Sequence, residues 1–346
     1  MIPESIAKAY GFDASFQIHP LGSGHIHKTY LVTGSSQQYV LQRINHFVFK
    51  QPDVITQNIK RADAFLKQHH PEYLFLSMVQ SKDGKDLVYD PEGWPWRLFP
   101  FIERTLTVDA ISTPEEAYEA ARGFARLTRN LDGCNMNEFA PTIERFHDLG
   151  WRYEQFESAL STATSDRLKQ AEHAIKISKE FSFLADEYKA LTSTSRLKLR
   201  LTHNDTKINN ILFDSQTRKA VCVIDLDTLM PGYFIYDLGD MIRTFVSPVS
   251  EEENDLSRIE VRREVYESLL RGYMIEMNDV LTEDEKSAVS FSGLMMTYIM
   301  ALRFLTDFLN GDVYYITSYA GQNLNRSRNQ LRLLELLRAF QKNEAQ

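Results

Sequence analysis

Between Leu201 and Asp214 the chain reads LTHNDTKINNILFD, which sets His203, Asp205, Lys207 and Asn210 among the apolar Ile208, Ile211, Leu212 and Phe213. A little further on, VIDLD (223–227) places Asp225 at the end of an apolar run. Phosphoryl transfer from a magnesium nucleotide needs a carboxylate to orient the attacking hydroxyl, and oxygen donors to hold the metal against the phosphates. The spacing H-x-D-x-K-x-x-N followed by an aspartate at a strand end supplies that set. Asp205 is the candidate base or hydroxyl-positioning group, Asn210 and Asp225 are candidate magnesium ligands, and Lys207 is placed to steady the phosphoryl group. Taken singly, each of these residues reads as an ordinary turn former. Taken together, the spacing favours chemistry, with His203 as a brace for the loop backbone rather than a proton carrier.

The elements that must position this loop fall into two groups. Residues 18–45 alternate apolar and polar side chains, with turn signals at Gly22–Gly24 and Gly34–Ser36, which predicts two or three antiparallel strands. PDVITQNIKRADAFLKQHH (52–70) carries Val54, Ile55, Ile59, Ala62, Phe65 and Leu66 at helical spacing. Residues 73–102 return to strands and end in the aromatic run WPWRLFPFI. Beyond residue 105 the pattern is mostly helical. It opens with a capping-box-like Thr113 and Glu116, continues with two or three helices in 144–195, and is broken only by the short strands NNILFD and AVCVIDLDT. This predicts an α+β chain: a β-rich N-terminal lobe over 1–100, a hinge over 101–105 and a larger helical lobe over 106–346, with a ligand cleft between the lobes. The charge run SEEENDLSR (250–258) reads as a solvated loop.

Composition narrows the classes. At 43% hydrophobic and 25% charged, the 346 residues have ample material for a packed core. A net charge of −8 argues against a nucleic-acid partner, which requires a basic surface. Cys134 and Cys222 are far apart and form neither a disulfide framework nor a zinc motif. MIPESIAKAYGFDASF has no basic stretch followed by an apolar run, and SGLMMTYIMALRFLTDFL is interrupted by Arg303 and Asp307. A cytoplasmic location, no membrane partner and a monomer or homodimer are therefore expected.

THNDTKINNILFD, VIDLDTLMPGYFIYDLGDMIRT and LRFLTDFLNGDVYY resemble the aminoglycoside phosphotransferase and choline kinase superfamily, and within it the N-acetylhexosamine 1-kinases. GSGHIHKTYLV and YVLQRINHFVFKQPD extend the resemblance over nearly the whole chain. It implies a protein-kinase-like fold, ATP and Mg²⁺ as cofactors and a small-molecule sugar as substrate. It also implies nucleotide contacts from the turn Gly22, Ser23 and Gly24, and from the hinge backbone at Pro100 and Ile102. For the acceptor it points to Asp205, His25, Arg303 and Tyr314. His27 shares the face of His25 by strand alternation. An arginine inside the apolar helix around Arg303 also needs a partner on physical grounds. Asp307, one helical turn away, competes for it with sugar oxygens.

Two departures bear on this reading. Kinases of this fold place a lysine or arginine on the third strand, often paired with a helix glutamate. Here that strand offers Gln42 or Arg43, only one of which can face the cleft, and the helix offers Gln57; Arg43 is the candidate phosphate contact. Thr244 then Phe245 follow Ile242–Arg243, where the sugar-kinase branch tends to carry an aromatic, which points to a reshaped acceptor pocket. Asp237 is expected to brace the catalytic loop, with Asp227 close to the metal. The competing readings are a kinase of another sugar, an amino alcohol or an aminoglycoside, and a non-catalytic kinase-like binding module.

Overall fold

The computed structural model describes residues 2–22 and 26–344. Ser23, Gly24 and His25 of the glycine turn lie outside the described residues. The N-terminal lobe is a five-stranded antiparallel sheet of β1 (Gln17–Pro20), β2 (Lys28–Thr33), β3 (Gln38–Arg43), β4 (Val88–Tyr89) and β5 (Pro95–Pro100), in the order β1-β2-β3-β5-β4. Alternation gives the sheet two unlike faces. Val32, Leu41, Trp96 and Leu98 pack on one side with Ile6 of a short helix, α1 (Glu4–Tyr10). Val40 and Phe99 on the other side join the main core. Gln42 and Arg97 sit directly opposite one another on adjacent strands of that second face.

The helix α2 (Pro52–His69) starts at a proline, whose missing N–H costs nothing in the first turn. It buries Ile55, Ile59, Ala62 and Leu66 in the main core, which is shared with the second lobe. Asn58, only 1% exposed, donates from its side-chain amide to the carbonyls of Leu229 (2.9 Å) and Ala140 (2.8 Å). So α2 is fastened to the larger lobe as well as to its own sheet.

After Pro100 the chain crosses over. Arg104 takes a left-handed turn (φ 56°), and β6 (Thr105–Leu106) pairs with β8 (Ile211–Asp214), which pairs in turn with β9 (Ala220–Val223). The helix α3 (Pro114–Asn130) is capped by Thr113, whose hydroxyl accepts from the Glu116 N–H (3.2 Å). The Glu116 carboxylate reaches back to the Ser112 N–H instead of that of Thr113, so only half of a capping box forms. Four helices, α4 (Leu149–Thr162), α5 (Ser165–Gln170), α6 (Glu172–Glu180) and α7 (Phe183–Ser193), fill the stretch where two or three were expected. The extra division comes from the caps Thr164 and Ala171, which interrupt an otherwise continuous helical pattern.

β7 (Arg200–Thr202) and β10 (Met230–Gly232) form a two-stranded ribbon beneath the catalytic loop. Next come α8 (Phe234–Phe245), α9 (Arg263–Met277), α10 (Glu283–Ser287), α11 (Val289–Leu309) and α12 (Gln322–Glu344). α11 is long and apolar enough to cross a membrane by length and composition, yet 72% of its most apolar stretch is buried inside the protein, against α12, α8 and α4.

Candidate active site

The loop between β7 and β8 is held by bonds to its backbone. Asp237, at the start of α8, accepts from the N–H groups of His203 (2.9 Å) and Asn204 (2.7 Å). Asn204 sits at φ 66°, and its amide nitrogen donates to the Thr202 and Thr228 carbonyls (2.9 and 3.0 Å). Thr206 donates to the Asp237 carbonyl (2.7 Å). The His203 ring accepts the Asp205 N–H at Nδ1 (3.2 Å), so its Nε2 carries a proton and donates to the Ile224 carbonyl (2.9 Å). His203 thus binds the loop to the strand leading to Asp225 and has no free nitrogen for proton transfer.

This bracing presents Asp205, Asn210 and Asp225 together. Asn210 donates from Nδ2 to the Asp205 carbonyl (2.9 Å) and to its carboxylate (3.1 Å), which leaves the amide oxygen of Asn210 as a cation donor. Lys207 Nζ lies 3.3 Å from Asp205 Oδ1. Burial opposes the charge on Asp205, but the nearby Lys207 ammonium outweighs it and holds the carboxyl below its ordinary range. Asp225 behaves in the opposite way. Enclosure by the protein, then the charges of Asp227 and Asp205, push its carboxyl up to about 6, although its side chain still opens to the cleft. Its backbone is left-handed (φ 58°), a conformation rare for a residue with a Cβ and often kept at functional turns. Three converging carboxylates with one of them reluctant to ionise form a site short of a cation. Asn210 and Asp225 offer the oxygen donors that magnesium prefers, so they fit that ion.

Asp227 and His27 lie near enough to Asp225 for a shared metal, but both are already engaged. His27 accepts the Asn45 N–H at Nδ1 (3.1 Å) and therefore donates from Nε2 to Asp227 Oδ2 (2.6 Å). The other Asp227 oxygen is in contact with Arg97 Nη1. Arg97 is 1% exposed, and its Nε and Nη2 donate to the Gln42 side-chain oxygen (3.1 and 2.9 Å). Burial works against the Asp227 charge, but Arg97 and His27 prevail and keep its carboxyl well below the usual range.

The third-strand cation expected at Arg43 is therefore corrected. Arg43 lies on the opposite face of β3, with its guanidinium 4.1 Å from the centre of the Trp94 ring. Gln42 faces the cleft, and the positive charge beside it comes from Arg97 on the neighbouring strand. Gln57 is exposed on α2; the acid that pairs with the cation is Asp227. Sequence reading missed Arg97 because its register with Gln42 depends on strands more than fifty residues apart. One signal was available: a lone arginine between Trp96 and Leu98 in an apolar strand needs a partner, as Arg303 does in its helix.

At the hinge, the Ile102 carbonyl already accepts the Thr105 hydroxyl (2.6 Å), so the N–H is the group it has to offer a nucleotide edge. The Phe101 N–H is taken by the Gln38 carbonyl (3.0 Å), and Pro100 ends β5. Gly22 turns at φ 74° just after β1 with open space where a Cβ would be.

On the acceptor side, Arg303 is not paired with Asp307. That carboxylate accepts from the N–H groups of Val313 (3.0 Å), Tyr314 (2.8 Å) and Tyr315 (2.9 Å) and from the Asn323 amide (2.9 Å). The Arg303 guanidinium lies between the rings of Phe146 (5.1 Å) and Tyr315 (5.5 Å). Tyr314 packs edge-on against Tyr315 and is 66% exposed. Phe245 is wholly buried, and Thr244 bonds back to the Asp240 carbonyl (2.7 Å). The run 250–258 is more than a solvated loop. Glu251 pairs with the buried Arg243 (2.7 Å), Glu252 pairs with Arg326 (2.6 Å), and Asn329 of α12 donates to the Ser250 and Glu253 carbonyls.

Residues 17–272 match the family model of the phosphotransferase enzyme family. The chain belongs to that family. It is a phosphotransferase. Solved structures of the same fold include a microcompartment-associated aminopropanol kinase (17% identity, TM-score 0.65, 98% of this chain and 97% of that one). The amicoumacin kinase in complex with AMP-PNP, Ca²⁺ and amicoumacin matches at 15% identity and TM-score 0.61, over 94% and 91% of the two chains. The choline kinase of Streptococcus pneumoniae matches at 12% identity and TM-score 0.54, over 95% and 97%. At these identities the likeness carries the kinase-like fold.

Proposed function

We propose that this phosphotransferase acts on a sugar, at the anomeric hydroxyl of an N-acetylhexosamine. The observation that carries the reading is Arg303: a guanidinium flanked by two aromatic rings, on the acceptor side of the cleft, with no carboxylate in ion-pair distance among the described residues. Its N–H groups suit hydroxyl and carbonyl oxygens, while Phe146 and Tyr315 suit the apolar face of a pyranose.

In the reaction, the sugar hydroxyl attacks the γ-phosphorus as the bond to the ADP oxygen breaks, and the hydroxyl proton passes to Asp205. A carboxylate held below its ordinary range is a weak base. Asp205 therefore orients the hydroxyl and takes the proton late, as suits a loose transition state. Asn210 and Asp225 would hold magnesium, which would supply neutralisation of phosphate charge when bound. Arg97, buried behind Gln42, holds Gln42 and Asp227 in place on the phosphate side of the cleft, and Lys207 shifts from Asp205 toward the transferred group. The turn that begins at Gly22 is the candidate phosphate contact, and Ile102 offers its N–H to the adenine edge. Closure of the lobes excludes water and limits ATP hydrolysis.

The test is a panel of N-acetylglucosamine, N-acetylgalactosamine, glucose, galactose and choline with Mg·ATP, read by ADP release and ³¹P NMR. An anomeric phosphate of an N-acetylhexosamine is the expected product. Turnover of choline in preference to every sugar would overturn the reading.

A further inference from the structure

Resting on the sugar-kinase reading, we propose that the acceptor carries an anionic substituent, carboxylate or phosphate, gripped jointly by Arg152 and Arg303. Arg152 lies on α4 and donates to the Phe146 carbonyl from Nε and Nη2 (3.3 and 2.9 Å) and to Gln155 Oε1 from Nη1 (3.0 Å). Phe146 is also the residue whose ring faces Arg303, so the two guanidiniums share one neighbour. Both border the catalytic loop. His147 bonds the Asn204 carbonyl (2.8 Å), one residue before Asp205, and it feels the charges of Arg303, Arg152 and Asp205 alike. Burial, then these arginines, draw the His147 pKa down to about 3, so this histidine adds no third positive charge.

Among the described residues, neither arginine has an acid of its own. Asp148, four residues before Arg152, is committed to Arg145 (2.8 Å) and the Trp151 N–H (3.0 Å), and Glu154, two residues after it, is exposed. Asp307, one turn from Arg303, is occupied by four N–H donors. The fully buried arginines among the described residues each have a carboxylate partner, Arg97 with Asp227, Arg200 with Glu285, and Arg243 with Asp240 and Glu251, whereas Arg152 and Arg303 are half-buried and have none. Two like charges enclosed together repel one another, and burial with the Arg303 charge pulls the Arg152 pKa down to about 10. A ligand anion relieves that repulsion, as a guanidinium fork matches carboxylate and phosphate oxygens. A cationic acceptor would increase it.

The experiment compares glucose, glucuronic acid, glucose 6-phosphate and glucosamine, and N-acetylglucosamine with its 6-phosphate. Binding to the enzyme loaded with Mg²⁺ and AMP-PNP is measured by calorimetry, and turnover with Mg·ATP by ADP release. An acid-bearing sugar is expected to bind and turn over at least tenfold better than its neutral counterpart, with glucosamine worst. The uronic acid and phosphate arms separate the two anions. Arg152→Gln is expected to erase the preference while leaving AMP-PNP affinity unchanged, and Arg152→Lys to restore part of it. Equal or better use of the neutral sugars overturns the proposal, as does a preference that survives Arg152→Gln. Failure of every anionic sugar to bind an enzyme that holds Mg²⁺ and AMP-PNP overturns it too. Failure to bind the nucleotide at all would instead overturn the kinase reading on which it rests.

Discussion

Protonation of Asp225 links stability to metal binding. Its carboxyl holds a proton up to about pH 6 in the folded chain, against 3.8 for an ordinary aspartate. Between those values the folded state binds more protons than the unfolded state. This group's contribution to stability therefore falls as pH rises from about 4 to about 6. Asp225→Asn removes that penalty: without Mg²⁺ the variant is expected to melt above the parent at pH 7 and alongside it at pH 4. Added Mg²⁺ should raise the melting temperature of the parent and not of the variant. A parent chain whose melting profile matches the variant at every pH would contradict this. Arg97 gives a second residue-scale prediction. Arg97→Gln should raise the KM for ATP about tenfold or more, because buried Asp227 and Gln42 lose the cation that positions them. Adding Gln42→Lys returns the cation to the strand opposite and should recover part of the affinity; unchanged ATP kinetics in the single variant would exclude Arg97 from organising the nucleotide site. The Asp205, Asn210 and Asp225 set was legible in sequence because its spacing is local and its residue types are specific. Arg97 was not, since the pairing of β3 with β5 is a long-range fact.

At the scale of elements, the catalytic loop depends on the first turn of α8. Asp237→Ala leaves the buried N–H groups of His203 and Asn204 without acceptors, at a cost of about 2–5 kcal/mol. Urea unfolding would show it, and a loss under about 0.5 kcal/mol would mean that the loop has other support. The acceptor side has a comparable brace. Asp307→Asn should loosen the backbone of 313–315 and raise the acceptor KM while the ATP KM stays constant. A change in both would show that the effect spreads through α11. The antiparallel strands of the first lobe and α2 were readable from alternation and helical spacing. α1, of seven residues, is too short to show a period, and its stability comes from packing Ile6 against the sheet. The run 250–258 misled because charge density normally marks a solvated loop, whereas Glu252 meets Arg326 some seventy residues later in the chain.

The whole molecule is a sheet-based lobe and a helical lobe joined by the 101–104 crossing and by α2, whose Asn58 binds the larger lobe directly. That second attachment and the Arg97–Asp227 ion pair keep the Gln42–Arg97 face of the sheet over Asp227. Its central consequence is that transfer chemistry and nucleotide binding belong to separable groups. The most direct test measures ADP release under saturating acceptor sugar alongside AMP-PNP affinity in the presence of Mg²⁺, for the parent and Asp205→Asn. Turnover should fall at least about a hundredfold in the variant while AMP-PNP affinity stays within about twofold. A variant that turns over like the parent, or that loses the nucleotide as it loses activity, would contradict the role of Asp205 as the group that orients the attacking hydroxyl.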